Sequence, residues 1–177
     1  MQVTGRSGDI LDVMPDGRLM VDLEDPMVKA AQEGRAFVWN STTQDIDAGD
    51  TALFLKNLDD KMIILDRAVI NGSNVICEWT FGLGSAVTTP AGTALAARSL
   101  NPEFPSVKYS YTAMNDETAV ATADTISNVW TTIAGTGDSF ATLNLRGFVI
   151  PKNHYAQITQ VTESTSGSAQ IFGYFER

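Results

Sequence analysis

From residue 36 to the C-terminus, no stretch of ten residues keeps a convincing helical period. Short runs rich in β-branched and aromatic residues recur instead, at spacings of roughly 8–12 residues, with turn residues between them. That rhythm restricts the body of this chain to an all-β architecture, a sandwich or a barrel. The strand candidates are Ala36–Asn40, Thr51–Leu58, Met62–Ile70, Val75–Gly82, Thr93–Arg98, Val107–Tyr111, Asn128–Ala134, Phe140–Leu145, Gly147–Ile150, Tyr155–Glu163 and Ala169–Glu176. Alternation assigns faces. Leu53 and Leu55 share one, Cys77, Trp79 and Phe81 oppose Glu78 and Thr80, and Ile171, Gly173 and Phe175 oppose Phe172, Tyr174 and Glu176. Some connections are tight, such as Asp59-Asp60-Lys61. Others are long: 82–92, 99–106 and 114–125, the last with room for one short strand. Mixed tight turns and long crossings predict Greek-key or jelly-roll wiring of a β-sandwich over residues 36–177.

Residues 1–35 have a different texture. The runs Gly8-Asp-Ile-Leu-Asp-Val-Met14 and Arg18-Leu-Met-Val-Asp-Leu23 flank Pro15-Asp16-Gly17, a hairpin signal, because glycine tolerates positive φ. In Glu24-Asp-Pro-Met-Val-Lys-Ala-Ala-Gln-Glu-Gly34, Asp25 is placed to cap, Pro26 to occupy the first helical position and Gly34 to end the helix. A helix of two or three turns is unstable alone, and so is an isolated hairpin. Residues 1–35 are therefore expected to form an arm that packs on its own body or on a neighbouring subunit.

Composition narrows the function by exclusion. The chain has 177 residues, 12 Lys+Arg against 21 Asp+Glu, a net charge of −9, one Cys and one His. Its length suits one domain with a small appendage. An acidic chain does not hold nucleic acid by counterion release. One His and one Cys rule out His-cluster and Cys-rich metal sites and an internal disulfide. The first nine residues lack the apolar core of a signal peptide, and no apolar run approaches the ~20 residues of a membrane span. The expectation is synthesis in a cytosol, with no membrane partner and with Cys77 a reduced, inert strand residue.

The candidate chemical motifs do not assemble. Gly137-Asp-Ser139 is like the nucleophile triplet of some hydrolases, but it lies late in the chain and the required Asp before His154 is missing, so it reads as a turn. His154, the sole imidazole base, sits in a loop without a nucleophile beside it. Asp45, Asp47 and Asp50 cluster without calcium-loop spacing. Gly82-Leu-Gly84 lacks the third glycine of a dinucleotide site, and Asn40-Ser-Thr42 and Asn71-Gly-Ser73 are chance glycosylation matches. Trp39, Trp79 and Trp130 fall in strands, where core packing is the default and stacking on sugars the alternative. Tyr109 and Tyr111 share a face suited to meeting a partner. The expectation is a non-enzymatic chain with no catalytic, cofactor or metal site.

The runs Asp16-Gly-Arg-Leu-Met-Val-Asp22, Gly34-Arg-Ala-Phe-Val-Trp39, Ala48-Gly-Asp-Thr-Ala-Leu-Phe-Leu-Lys-Asn57 and Ile63-Ile-Leu-Asp-Arg-Ala-Val-Ile70 resemble small virion proteins of tailed bacteriophages. Val149-Ile-Pro-Lys-Asn-His-Tyr-Ala-Gln-Ile158 and Ala169-Gln-Ile-Phe-Gly-Tyr-Phe-Glu176 extend the likeness over most of the chain. It implies a β-sandwich virion protein, foremost a head decoration protein. Such a protein would bind the major capsid protein or another virion protein as a homotrimer, with residues 1–35 as the anchor. The alternative it implies is a tail-fibre or receptor-binding module that engages host surface glycans. No site residue follows from it.

Overall fold

The computed structural model describes residues 2–4, 10–13, 19–20, 25–42, 44–46, 50–72, 77–85, 92–105, 108–115, 124–131, 139–161 and 164–177. In chain order the elements are β1 (Gln2–Thr4), β2 (Ile10–Val13), β3 (Leu19–Met20), α1 (Pro26–Gln32), β4 (Ala36–Asn40), β5 (Gln44–Ile46), β6 (Thr51–Asn57), β7 (Ile63–Gly72) and β8 (Cys77–Gly84). They continue as β9 (Thr93–Ala94), β10 (Arg98–Ser99), β11 (Tyr111–Asn115), β12 (Asp124–Thr131), β13 (Ser139–Asn144), β14 (Val149–Ile150), β15 (Tyr155–Gln160) and β16 (Ser164–Phe175).

The body is an all-β arrangement of two antiparallel sheets. One runs β10-β4-β16-β7-β13, with β14 also pairing β7 and β5 pairing β16. The other runs β12-β8-β15-β6-β11-β9. Their facing sides share a single apolar cluster. Phe37, Trp39, Leu65, Ile70, Ile171 and Phe175 enter it from the first sheet, and Leu53, Leu55, Trp79, Phe81 and Ile158 from the second. Every one of these side chains is at most 1% exposed. Aromatic rings tie the cluster across the layers: Trp39 meets Tyr111 edge-on at 5.9 Å, and Phe81 meets Phe148 at 5.8 Å. The facing assigned by alternation holds for Leu53 and Leu55, for Trp79 and Phe81, and for Ile171 and Phe175.

Several strand boundaries differ from the sequence reading, and pairing accounts for those around β9, β10 and β11. The stretch 93–98 is not one strand, because the chain changes sheets within it. β9 pairs β11 and β10 pairs β4. The strand expected at 107–111 begins at Tyr111 and runs to Asn115. Its partner β6 ends at Asn57, opposite Tyr111, and beyond that pair one bond from the Leu58 amide to the Ser110 carbonyl closes the pairing before the chain turns. The expected loop 114–125 is correspondingly shorter, since Met114 and Asn115 belong to β11 and Asp124 and Thr125 to β12.

The N-terminal region holds the expected elements. β2 and β3 pair antiparallel as the hairpin, and β1 adds to β2. The Pro15–Gly17 turn lies outside the described residues. α1 begins as the capping residues demand: the Met27 amide donates to Asp25 Oδ1 at 2.8 Å, and Pro26 takes the first position. The helix stops at Gly34, whose φ of +71° strains any residue with a Cβ. α1 lies on the outer side of the first sheet, where Met27 and Ala30 bury against Ala36, Phe172 and Tyr174 in a cluster separate from the main core.

Candidate interaction surfaces

Polar groups fasten α1 at both ends. At its start, Asp25 accepts from Met27 with one oxygen and from Arg146 Nη2 with the other, at 2.8 Å. The Met27 amide first, and Arg146 after it, hold the Asp25 carboxyl below its usual range. Arg146 also donates Nε to Asp66 Oδ1 at 2.9 Å, and Arg67 covers Asp66 Oδ2 at 2.8 Å. Asp66 is buried, and each of its oxygens thus has a cation. The Arg67 guanidinium also sits 4.3 Å over the Phe172 ring, beside the helix footprint. At the other end Glu33 pairs with Arg35 and Arg177, and Arg35 donates to the Phe175 carbonyl. Arg146 is 61% exposed, so its pairs orient the helix more than they stabilise it.

A second built region is the β6–β7 turn. Asn57 is fully buried. Its Nδ2 donates to the carbonyls of Lys61 (2.8 Å) and Ile150 (2.9 Å), and its Oδ1 accepts from the Asp59 amide (2.9 Å). The Asp59 carboxylate accepts from Lys61 (3.0 Å) and Ser110 (3.1 Å), and these amides, Lys61 first, hold it below its usual range. Asp60 pairs with Lys152. The acidic pair therefore organises a turn.

Beyond α1, the outer side of the first sheet carries half-buried and exposed residues. Register aligns Phe140, Asn71 and Ser168 in one row, and Thr142, Val69 and Gln170 in the next. Neither row contains a charged residue, in a chain of net charge −9. Phe140 is 76% exposed, the most exposed large apolar side chain among the described residues.

The residues singled out by sequence stay apart. Ser139 starts β13 in the first sheet, whereas His154 precedes β15 in the second. The His154 ring is exposed, with Nδ1 3.0 Å from the Lys152 carbonyl oxygen. Gly135–Asp138, Asp47 and the side chains of Asp45, Cys77 and Trp130 lie outside the described residues. Among the described residues, no three His, Cys, Asp or Glu gather as a metal site, and no helix is long and apolar enough to cross a membrane. Gly82 and Gly84 are strand residues. A Cβ at Gly84 would lie 2.5 Å from the Tyr155 hydroxyl, so its glycine serves ring packing. Trp39 and Trp79 are buried, which removes both as sugar-stacking platforms. Tyr109 and Tyr111 turn inward: Tyr109 stacks on Phe175 at 4.0 Å, and the Tyr111 hydroxyl accepts from the Ala97 amide at 2.7 Å. Burial raises the Tyr109 pKa. Sequence reasoning passed over Asp66, Arg146 and Asn57, each of which has a partner 80 or more residues away, and the outward parity of Phe140.

Compared with protein-family models, with curated proteins and with solved structures, the chain matches none.

Proposed function

We propose that this chain is a non-enzymatic phage virion structural protein, a capsid decoration protein whose β-sandwich body sits on the outer surface of the head. It assembles there as a homotrimer on the major capsid protein or another virion protein, and residues 1–35 supply the anchoring or inter-subunit contacts. The observation that carries this reading is an arm helix fastened to the outside of a body with its own complete core. α1 uses a separate small apolar cluster and surface ion pairs, and contributes nothing to the main cluster. Such an appendage suits attachment.

Strand order supports a jelly-roll reading of the body. Take β4, β6, β7, β8, β12, β13, β15 and β16 as one to eight. The pairs one–eight, two–seven, three–six and four–five are then the rungs of one long hairpin. The additional pairs eight–three and seven–four roll that hairpin into two sheets, the arrangement a jelly-roll reading calls for. β9, β10 and β11 form an insertion between its fourth and fifth strands. Jelly rolls recur in capsid and lectin domains, so the wiring favours assembly or glycan binding over catalysis only by analogy. Burial of Trp39 and Trp79 weighs against the glycan-binding tail module.

The test is antibody labelling of purified particles, paired with deletion of residues 1–35. Head labelling and loss of the truncated protein from particles are expected. Tail-tip labelling rejects the decoration role, and unchanged occupancy of the truncated protein rejects the anchor.

A further inference from the structure

The ladder of the first sheet fixes which backbone groups of β13 lack a partner. The Leu145 amide donates to the Asp66 carbonyl at 2.9 Å, one step in register beyond Asn144 and Arg67, so Leu145 and Asp66 form a hydrogen-bonded pair. Such pairs alternate along an antiparallel ladder. Leu143 with Ala68, Ala141 with Ile70 and Ser139 with Gly72 are therefore the bonded pairs that join β13 to β7. The far side of the sheet gives the same parity. The Ser41 amide donates to the Ala169 carbonyl at 2.9 Å, which leaves Ser168 and Gln170 of β16 to bond Asn71 and Val69, and leaves Ala68, Ile70 and Gly72 to β13. The N–H and C=O groups of Phe140, Thr142 and Asn144 then point away from β7. β13 is the last strand of its sheet, and among the described residues nothing answers these groups.

Nothing in β13 protects this edge. It is six residues long, keeps unbroken register with β7, and its sequence Ser-Phe-Ala-Thr-Leu-Asn has neither charge nor proline. The other sheet ends are blunted: β9 and β10 have two residues each, and β12 carries a bulge between Thr125 and Ser127. The edge also cuts the core short. Leu143 packs against the main cluster, yet it and Ala141 stay half-buried at the rim. Only another strand answers a row of backbone donors and acceptors, and β13 itself is complementary to it. Let two copies run antiparallel about a twofold axis at Thr142. Thr142 then faces Thr142, and Phe140 faces Asn144, as hydrogen-bonded pairs, and every outward group of both strands is satisfied. Between them, Leu143 of each copy lies opposite Ala141 of the other at the closer, non-hydrogen-bonded spacing, on the core side. Large meets small twice, and the half-buried rims of both cores close. Two chains of net charge −9 also approach with least repulsion through an uncharged strand.

We infer that β13 pairs with β13 of a second copy, edge to edge about a twofold axis at Thr142, so that the first sheets of two subunits become one continuous sheet. The contact is isologous, with the same residues on both sides. It requires neither a virion nor a threefold axis, so its failure is separable from failure of the decoration role.

The test uses the full chain and its mass in solution by light scattering across a dilution series. The native chain is expected to dimerise, giving twice the 19.1 kDa subunit mass. Thr142→Lys and Thr142→Asp each set like charges against each other on the axis and should weaken the dimer about fivefold. The Thr142 side chain is exposed, so both variants should keep the native circular dichroism spectrum and thermal midpoint. Mixing the two should restore native dimer strength, because lysine then meets aspartate across the axis. Thr142→Pro deletes an N–H that the β13–β7 ladder does not use, and with it both central bonds between copies. It should weaken the dimer about tenfold or more. A native chain that stays monomeric at the highest attainable concentration overturns the inference. So does a dimer that any one of the three variants leaves unweakened, or a lysine–aspartate mixture no stronger than either variant alone.

Discussion

Replacing Met27 by alanine should undock α1 and leave the sandwich intact. Met27 is 9% exposed and supplies most of the apolar volume that the helix places on Phe172 and Tyr174. Truncating a buried methionine costs about 2–5 kcal/mol, and a rim site in a small cluster belongs at the low end, near 2 kcal/mol. Alanine is the better helix former, so intrinsic propensity pushes the other way and any loss is a packing loss. A seven-residue helix has almost no stability of its own, so docking holds the whole of it. Two kcal/mol is about a thirtyfold change in the docked-to-undocked ratio. Hydrogen exchange reads that ratio directly. The Lys29 and Glu33 amides, bonded to the Asp25 and Lys29 carbonyls at 3.1 Å, should exchange about thirtyfold faster. The Leu65 amide, bonded to Phe148 O at 3.0 Å within the body, should keep its protection. Equal losses at all three amides would show the helix to be part of one cooperative unit with the sandwich. Unchanged exchange at Lys29 and Glu33 would show that Met27 does not hold it. Either result refutes the separable arm.

The Asp25 cap sets a pH dependence. Its folded pKa lies below the unfolded value near 3.8, so its contribution is complete above that value and is lost as pH falls through the folded pKa. Protection factors in α1 should hold from about pH 7 to 5 and fall below about pH 4, and Asp25→Asn, which keeps a capping oxygen, should flatten that fall. Asn57→Ala removes three hydrogen bonds at a fully buried site. It should cost about 2–4 kcal/mol and lower the thermal midpoint by roughly 5–15 °C, read by circular dichroism. Gly34→Ala would place a Cβ 2.5 Å from Phe104 Cγ at φ +71° and should destabilise by more than about 1 kcal/mol, seen as a lower urea midpoint with an unchanged slope.

Features governed by neighbours in sequence were legible, and features governed by distant neighbours were not. Asp25, Pro26 and Gly34 announce α1 because capping is settled within one helical turn. Ala36–Asn40 could be read as β4 to the residue, because its apolar run is bounded on both sides by turn-forming residues. The interrupted stretch 93–99 was not legible: Leu95 and Ala97 continue an apolar alternation, and only the whole topology reveals that the chain changes sheets there. Asp66 and Arg146 stand 80 residues apart, and their ion pair exists because β14 folds back beside β7. β13 shows most clearly why an interaction surface escapes a strand pattern. Alternation in Phe-Ala-Thr-Leu-Asn-Leu offers two parities, Phe140 with Thr142, or Ala141 with Leu143 and Leu145. The largest ring in the strand favours the first as the buried set. The structure instead buries Leu145 at 1% exposure and turns Phe140 out at 76%. The buried Leu145 and the partly buried Leu143 outweigh one phenylalanine, since register commits all residues of one parity together. The ring left outside by that choice is 76% exposed, so it adds little to the apolar burial that holds the single chain.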